Sequence, residues 1–594
     1  MPSQIPIFAP KRSTIAEVKD RIMRQTVEAF MFEGILETEQ KGANWEIKGK
    51  TKTGNDVIYT FNAERKWSFN RVKVKPYSFL REASSCTDLH LFLEEVVQNN
   101  IEGAQVDSFI QEVLETFAKD AQSKQQQREP LPFYEVTYDE LESELIEGHS
   151  YHPSYKSRMG FSLADNASYG PEFNRPLSIC WLAIEPNQAA IAQSAENEIA
   201  RVIHEHLSLE EQERFRQVLL NKEAEKRSMI WMPVHPWQWE HHLQNKLTEP
   251  LAEGKVIFLG YSKPVYRAQQ SIRSLGHRTN PKAAYVKLPL SITNTSSSRI
   301  LASHTIQNAP KISDWLQALV DEDEFLQKKS FALLRETVGA SYQGEEGSDI
   351  PSERLYGTLG VIYRENISNY VNKEETAFPL NAVTHMQKNQ IPMIQPIIDH
   401  YGAEAWCEAL VETVLTPLIH LLLIHGVALE AHAQNIILVL EKGWPRRILV
   451  KDLHDGVRFV PEELLEPERM PFLCSEPEAH RSVNRYSFIK AETSAEVRDY
   501  LYDALFFICM TELAFFFERY SISEERFWQL CRRVILLHQR EFPEYQGRFE
   551  QFDLFAADIN IEEMTKRRLY GDGALHFRIV SNPLREAGEV HDEI

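Results

Sequence analysis

Two polar clusters, Glu430-Ala431-His432-Ala433-Gln434-Asn435 and Lys451-Asp452-Leu453-His454-Asp455-Gly456, flank one short apolar stretch in the last third of the chain. Between them run Ile436 to Leu440, a turn at Glu441-Lys442-Gly443-Trp444-Pro445, and Ile448 to Val450. The pattern reads strand, hairpin turn, strand, and a hairpin brings its two flanks together at its open end. Glu430, His432 and Gln434 alternate with two alanines, which predicts an extended segment with the three polar side chains on one face. Glu, Asn and Asp offer oxygen ligands suited to a hard cation such as Mg²⁺. The competing reading is a polar hairpin mouth satisfied by backbone hydrogen bonds. So many chemically active side chains seldom crowd a hairpin without a ligand.

An Asn before one strand and an Asp after the next is also the grammar of kinase-type phosphotransferases, in which both residues hold metal for ATP. No GxxxxGK[ST], GxGxxG or GxSxG stretch is present, which argues against a P-loop enzyme, a Rossmann dehydrogenase and an α/β-hydrolase. A second constellation is Gln269-Gln270-Ser271-Ile272-Arg273-Ser274, then Lys287, then Thr293-Asn294-Thr295-Ser296-Ser297-Ser298-Arg299. Guanidinium forks and small hydroxyls grip phosphate and carboxylate oxygens. Lys287 sits in an apolar strand, where burial without an anion is costly. The alternative is a Ser/Thr-rich turn with solvated arginines. A third stretch, Gly148 to Arg158, holds His149, His152, Lys156 and Arg158. Pro153 and the Gly/Ser content predict a loop, and no third zinc ligand follows at suitable spacing. The stretch reads as a cationic loop at phosphate or, alternatively, a capped loop packed on its domain. His235-Pro236-Trp237-Gln238-Trp239 reads as a structural corner. Arg364 either meets a substrate carboxylate or pairs with Glu365.

Composition narrows the classes. The 594 residues carry a net charge of −21, which argues against nucleic acid or an anionic membrane as partner. Forty-three per cent apolar and ten per cent aromatic residues suit a globular protein of several domain-sized units. Met1 to Arg12 has no apolar core of a cleavable signal, and Ala409 to Ile424 is too short to span a bilayer. The six cysteines lack metal spacing and are expected as free thiols in a reducing cytoplasm. Residues 14 to 34 have helical periodicity. Strands are expected at Trp45 to Ile47, Val57 to Phe61, Arg71 to Val74, Ser178 to Ile184, Met229 to Val234, Val256 to Leu259, Ala284 to Leu288 and Ser291 to Thr293. Helices are expected from Thr87 to about Lys124, and at Tyr138 to Ile146, Asp314 to Val320, Glu324 to Leu334 and Val497 to Arg519. The polar tract from Lys119 to Pro130 reads as a linker, Gln343 to Ser352 as a mobile loop, and Gly426 as a helix C-cap.

These stretches together resemble the IucA/IucC family of NRPS-independent siderophore synthetases. The resemblance is carried by GHSYHPSYKSRMGF (148–161), PVHPWQWE (233–240), QQSIRS (269–274), VKLPLSITNTSSSR (286–299), GVIYREN (360–366), EAHAQN (430–435), KDLHDGVRF (451–459) and TKRRL (565–569), in order over most of the chain. HPSYKSR and the closing RRL…SNPL are most similar to the later-acting branch, which includes the final synthetases of petrobactin, staphyloferrin B and aerobactin. The resemblance implies a mixed α/β (α+β) cupped-hand fold with a kinase-like hairpin in a helical palm. It implies a thumb over 1–145, fingers over 146–390 and a palm over 391–594. It implies a cytoplasmic enzyme that adenylates citrate or a citryl monoamide with Mg·ATP. An amine or hydroxyl, from a polyamine, diamine or amino-alcohol, then releases AMP. A homodimer is an option the family offers. By residue, it implies Ser271, Arg273 and Ser274 (Ser where Thr is usual) at the nucleotide. His152, Lys287, Asn294 and Arg299 fall at phosphate or at the reacting carboxylate. Glu430 and Asp452 are implied as magnesium ligands, and His432, Gln434 and Asn435 lie at nucleotide and acid, with Arg364 at the substrate. Arg299, His432 and Lys287 are the residues implied to carry catalysis.

Overall fold

The computed structural model describes residues 10–126, 135–295, 297–344, 355–478, 480, 484–571 and 573–588. The end of the expected linker from residue 127, Ser296, and the Gly/Glu-rich loop from residue 345 lie outside them. Helix and sheet are mixed along the described chain. Helix α1 (Arg12–Phe32) buries Val18, Ile22, Val27 and Phe30 in one core, and its second half is buried nearly all round. It packs with the antiparallel strands β1 (Asn44–Lys50) and β2 (Asp56–Arg65), whose residues alternate between buried and open faces. Helix α2 (Val106–Lys124) runs through half of the expected linker. Its polar residues have partners inside the protein. Lys119 Nζ donates to the carbonyls of Ser157 and Arg158 at 2.6 and 2.8 Å. Asp120 accepts from Tyr155 and Lys156. Polarity that reads as solvated in sequence is a buried network in space.

A six-stranded antiparallel sheet forms the centre. Its order is Tyr266–Ala268, β3 (Ser274–His277), β4 (Tyr285–Lys287), β6 (Gly360–Arg364), β5 (Glu336–Tyr342) and Ala189–Gln193. Lys287 stands opposite Ser274 on one side and Ile362 on the other. Helix α3 (Ser303–Glu322) packs on β5. Of the helix expected over Glu324 to Leu334, only Glu324–Lys328 forms. Ser330, at φ 52°, turns the chain, and Ala332–Leu333 becomes a strand.

The hairpin is present as β7 (Ile436–Glu441) and β8 (Trp444–Val450). Its turn is tighter than expected. Lys442 and Gly443 alone make it, both at positive φ (54° and 88°), the geometry whose twist matches paired strands. Trp444 and Pro445 therefore belong to the strand, beside a bulge at Val439/Leu440. Ala332–Leu333 pairs parallel with β8, and the chain then crosses into the central sheet at β5. That two-residue crossing, Leu334 and Arg335, sets Glu336 at the seam between the two sheets.

Helix α4 (Ala403–His420) continues as a π turn, Leu421–His425, closed by Gly426 at φ 77°. A helical run from Ser494 to Phe517 and α5 (Glu524–Glu541) complete the core around the hairpin. Two helices, Ala403–His425 and Ser494–Tyr520, are long and apolar enough to cross a bilayer, but their apolar windows are 78% and 67% buried inside the protein. Both are core helices here. The six cysteines are unpaired.

Candidate active site

The open end of the hairpin is built by a turn, not by an extended segment. Strand Ala428–Leu429 pairs with Val457–Arg458 and then stops. Ala431 N bonds Leu429 O, and Asn435 N bonds His432 O, both at 2.8 Å. The expected alternation of Glu430, His432 and Gln434 on one strand face therefore does not form. Asn435 Nδ2 donates to Glu430 O at 3.1 Å, and its carbonyl takes Lys451 N at 3.0 Å. Asn435 thus ties the two clusters together through the backbone. Asp452, at φ 65°, bends the exit away from β8.

Lys287 Nζ reaches across from β4 to this exit. It lies 3.0 Å from Asp452 Oδ1 and 3.2 Å from His454 Nε2. Burial lowers the Lys287 pKa, and the nearby Asp452 charge opposes the fall. Arg364 donates to the same Oδ1 and, at 2.8 Å, to Gln269. Glu365, its neighbour in sequence, pairs instead with Arg335. Arg364 is therefore engaged by Asp452 and Gln269, neither of the partners weighed for it. Oδ2 of Asp452 has no hydrogen-bond partner among the described residues. Burial works to raise the Asp452 pKa, but Lys287 and Arg364 hold it well below the usual range. Behind them Glu336, fully buried, accepts from the ring of His454 at 2.7 Å and from its backbone N at 2.9 Å. The sequence reading assigned no role to Glu336 or Asp455. Glu336 directly follows Arg335 at the start of its strand, so no lone charge in an apolar run marks it in the sequence.

Arg273 and Arg299 form the facing wall. Arg273 donates to Ile300 O at 2.6 Å and Arg299 to Asn294 O at 3.2 Å. Neither makes an ion pair among the described residues. Burial lowers both pKa values, Arg299 to about 10, while Glu430 and Asp452 pull the other way. Arg273 also feels Asp455. The Glu430 carboxyl is raised to about 7 by burial and by the charges of Asp452 and Asp455. It has no hydrogen bond among the described residues. Opposite charges thus face one another without closing into pairs. A half-buried guanidinium without a counter-charge costs stability, and such groups point to a ligand. Three carboxylates with free oxygens are a donor set for Mg²⁺, and the arginines suit the phosphate oxygens it would accompany. The residues fit Mg·ATP.

The remaining expected positions border this space or support it. Ser271 Oγ accepts from Ser274 N at 3.1 Å, fixing the turn that carries Arg273. Ser274 Oγ is buried without a hydrogen-bond partner among the described residues. Asn294 Oδ1 accepts from Arg158 N at 3.2 Å, so this side chain holds the 148–158 loop. His152 Nδ1 accepts from Ser154 N, and the ring is buried. His432 is lowered to about 4, first by burial, with Asp452 opposing and Lys451 and Arg299 adding. Gln434 makes no side-chain hydrogen bond among the described residues. In the 148–158 loop, Lys156 binds Asp120 and Glu172, and Arg158 binds Glu172. Both cations are internal clamps, so the packed-loop alternative holds for them and the phosphate reading does not. The corner at His235 is structural, as expected. His235 Nδ1 caps Trp237 N, and Trp237 packs on Phe161.

A mixed α/β fold with unpaired arginines and carboxylates gathered between sheet and hairpin defines a broad class, and comparison with known proteins narrows it. Residues 137–385 match the profile described as IucA / IucC family, and residues 404–576 match that of a ferric iron reductase FhuF-like transporter. The chain is 39% identical to a *Staphylococcus aureus* protein named 2-[(L-alanin-3-ylcarbamoyl)methyl]-3-(2-aminoethylcarbamoyl)-2-hydroxypropanoate synthase, covering 97% of this chain and 94% of that one. It is 33% identical to a *Bacillus anthracis* citryl-spermidine/3,4-dihydroxybenzoyl-citryl-spermidine:spermidine ligase, with coverage of 97% and 94%. Among solved structures it is similar to petrobactin biosynthesis protein AsbB from *B. anthracis*, at TM-score 0.88 and 32% identity over 97% of each chain. The chain belongs to the IucA/IucC family.

Proposed function

We propose that this protein is an ATP-dependent, AMP-forming ligase that joins a citrate-type carboxylate to an amine in siderophore synthesis. The observation that carries the reading is the pair of half-buried guanidiniums, Arg273 and Arg299, facing Glu430, Asp452 and Asp455 without pairing to them. The names of the 39% and 33% identical relatives support a citrate-derived acid and a diamine or polyamine.

In this reading the hand-like fold holds ATP between the Lys287 sheet and the hairpin. Mg²⁺, held by Glu430 and Asp452 with Asp455 beside them, would neutralise phosphate charge. Arg273 and Arg299 hold phosphate oxygens where charge builds during displacement. Ser271, Ser274, Asn294 and His152 shape the nucleotide side, and Gln434 and His432 face the acid. Lys287 fixes Asp452 and adds positive charge at the phosphates. A carboxylate oxygen attacks the α-phosphorus, the bond to the β-phosphate bridge breaks, and pyrophosphate leaves. The amine nitrogen then attacks the acyl carbon, loses its proton, and displaces AMP. A hydroxyl in its place would give an ester.

The nucleotide product tests the reading. Turnover with acid and amine should give AMP and pyrophosphate. ADP as the sole product would replace it with γ-phosphate transfer, the kinase-like alternative that rests on the hairpin alone.

A further inference from the structure

Apart from the candidate active site, one cluster among the described residues brings metal-binding atoms together. His420 Nε2 lies 3.0 Å and His425 Nε2 2.8 Å from the same oxygen, Oδ2 of Asp323. One ligand atom from each of the three lies within 4.8 Å of the others. The local fold explains the convergence. His420 ends the regular part of α4, and the π turn Leu421–His425 follows. Widening the helix there brings residues five apart onto one face, and such π turns gather at functional sites. Asp323 caps the helix Glu324–Lys328, its other oxygen taking Leu326 N at 2.8 Å. That bond fixes the carboxylate and leaves Oδ2 for the histidines. The second ring nitrogen of His420 meets His538 Nε2, from α5, at 2.8 Å. Metal-binding imidazoles are held in this way by an outer partner. Phe325 stacks on His420 with ring centres 4.5 Å apart, and Phe542 closes an edge at 5.0 Å. The three ligand side chains are 2%, 8% and 12% exposed, so the open side is small.

We infer that Asp323, His420 and His425 form a second metal site, for a divalent transition ion of the zinc type, with water completing four-coordination. Two imidazoles and one carboxylate suit zinc and its neighbours and not Mg²⁺, which takes oxygen ligands. The site shares no residue with the cleft at Glu430 and Asp452. Its place in the fold makes it a clamp from the end of α3 to the end of α4, with α5 behind it.

The test uses the full chain, stripped with a chelator and titrated with Co²⁺, whose visible absorption intensifies in four-coordinate N/O sites. The wild type should take up one equivalent per chain with this spectrum, and Zn²⁺ should displace it. His425→Gln and Asp323→Asn should each lose that equivalent, whereas Glu430→Gln should keep it. Zn²⁺ should raise the Tm of the stripped wild type and leave that of His425→Gln unmoved. No stoichiometric uptake by the wild type, or equal uptake by wild type and both variants, would overturn the site in favour of a hydrogen-bonded Asp–His staple. Should His425→Gln fail to fold, Asp323→Asn decides the same question, and the wild-type titration stands without either.

Discussion

Lys287 Nζ and Asp452 Oδ1 are 3.0 Å apart, a contact that joins the central sheet to the exit of the hairpin. Lys287 also touches His454, which Glu336 holds from behind. Lys287→Met should leave Asp452 paired to Arg364 alone. Loss of one partner of a buried pair costs about 3–5 kcal/mol, and the surviving arginine should keep the loss below that range. Adenylation, read as pyrophosphate exchange, should fall on the order of 100-fold, as when one preorganised charge is removed from a transition state. Exchange near the wild-type rate would make Lys287 a structural residue only.

Arg299 is expected to cost stability and serve function. Arg299→Ala removes an unpaired guanidinium whose charged form burial disfavours, its pKa lowered to about 10. The variant should unfold in urea at the same concentration as the wild type or a higher one, with exchange reduced about 10²–10³-fold. A clearly lower midpoint would mean that Arg299 is paired within the fold.

Metal dependence separates the carboxylates from their neighbours. Glu430→Gln and Asp455→Asn should each raise the Mg²⁺ concentration for half-maximal rate, by at least the roughly 10-fold that loss of even an outer-shell partner costs a metal site. An unchanged Mg²⁺ curve in either variant removes that residue from the metal's surroundings.

The 148–158 loop is tied down by charge, with a consequence in acid. Burial works to raise the Asp120 carboxyl, but Lys156 and Arg21 hold it at about 2, against an ordinary 3.8. A depressed folded-state pKa contributes stability that is complete above the unfolded value and lost as pH falls toward the folded one. The gap corresponds to about 2 kcal/mol. Asp120→Asn should therefore be less stable than the wild type at pH 7, with the difference shrinking between about pH 4 and 2. Urea midpoints across that window read it directly, and a difference that does not change with pH would refute the charge account.

How much of this was legible in the sequence differs by residue, for physical reasons. The hairpin could be read because apolar runs and a Lys-Gly turn are local signals. The segment before it could not. Alternation at Glu430, His432 and Gln434 suggests a strand, but Leu429 ends the strand and a turn follows. Lys119, Asp120 and Gln122 looked like linker because composition does not reveal a buried partner 35 or more residues away. Arg364 has Glu365 as its sequence neighbour, whereas its partner Asp452 comes from the segment after β8. Glu336 gains its role only because the chain changes sheets there. Lys287 was found because a lone charge in an apolar strand needs an explanation on any fold.

The central claim is that the α-phosphate, not the γ-phosphate, is attacked by a substrate carboxylate. The most direct measurement is a single incubation of the protein with Mg·ATP, an amine and a citrate-type acid labelled with ¹⁸O in its carboxylates, followed by mass analysis of the nucleotide. The account predicts AMP carrying one ¹⁸O, transferred from the carboxylate as the amide forms. Unlabelled ADP in its place would contradict it.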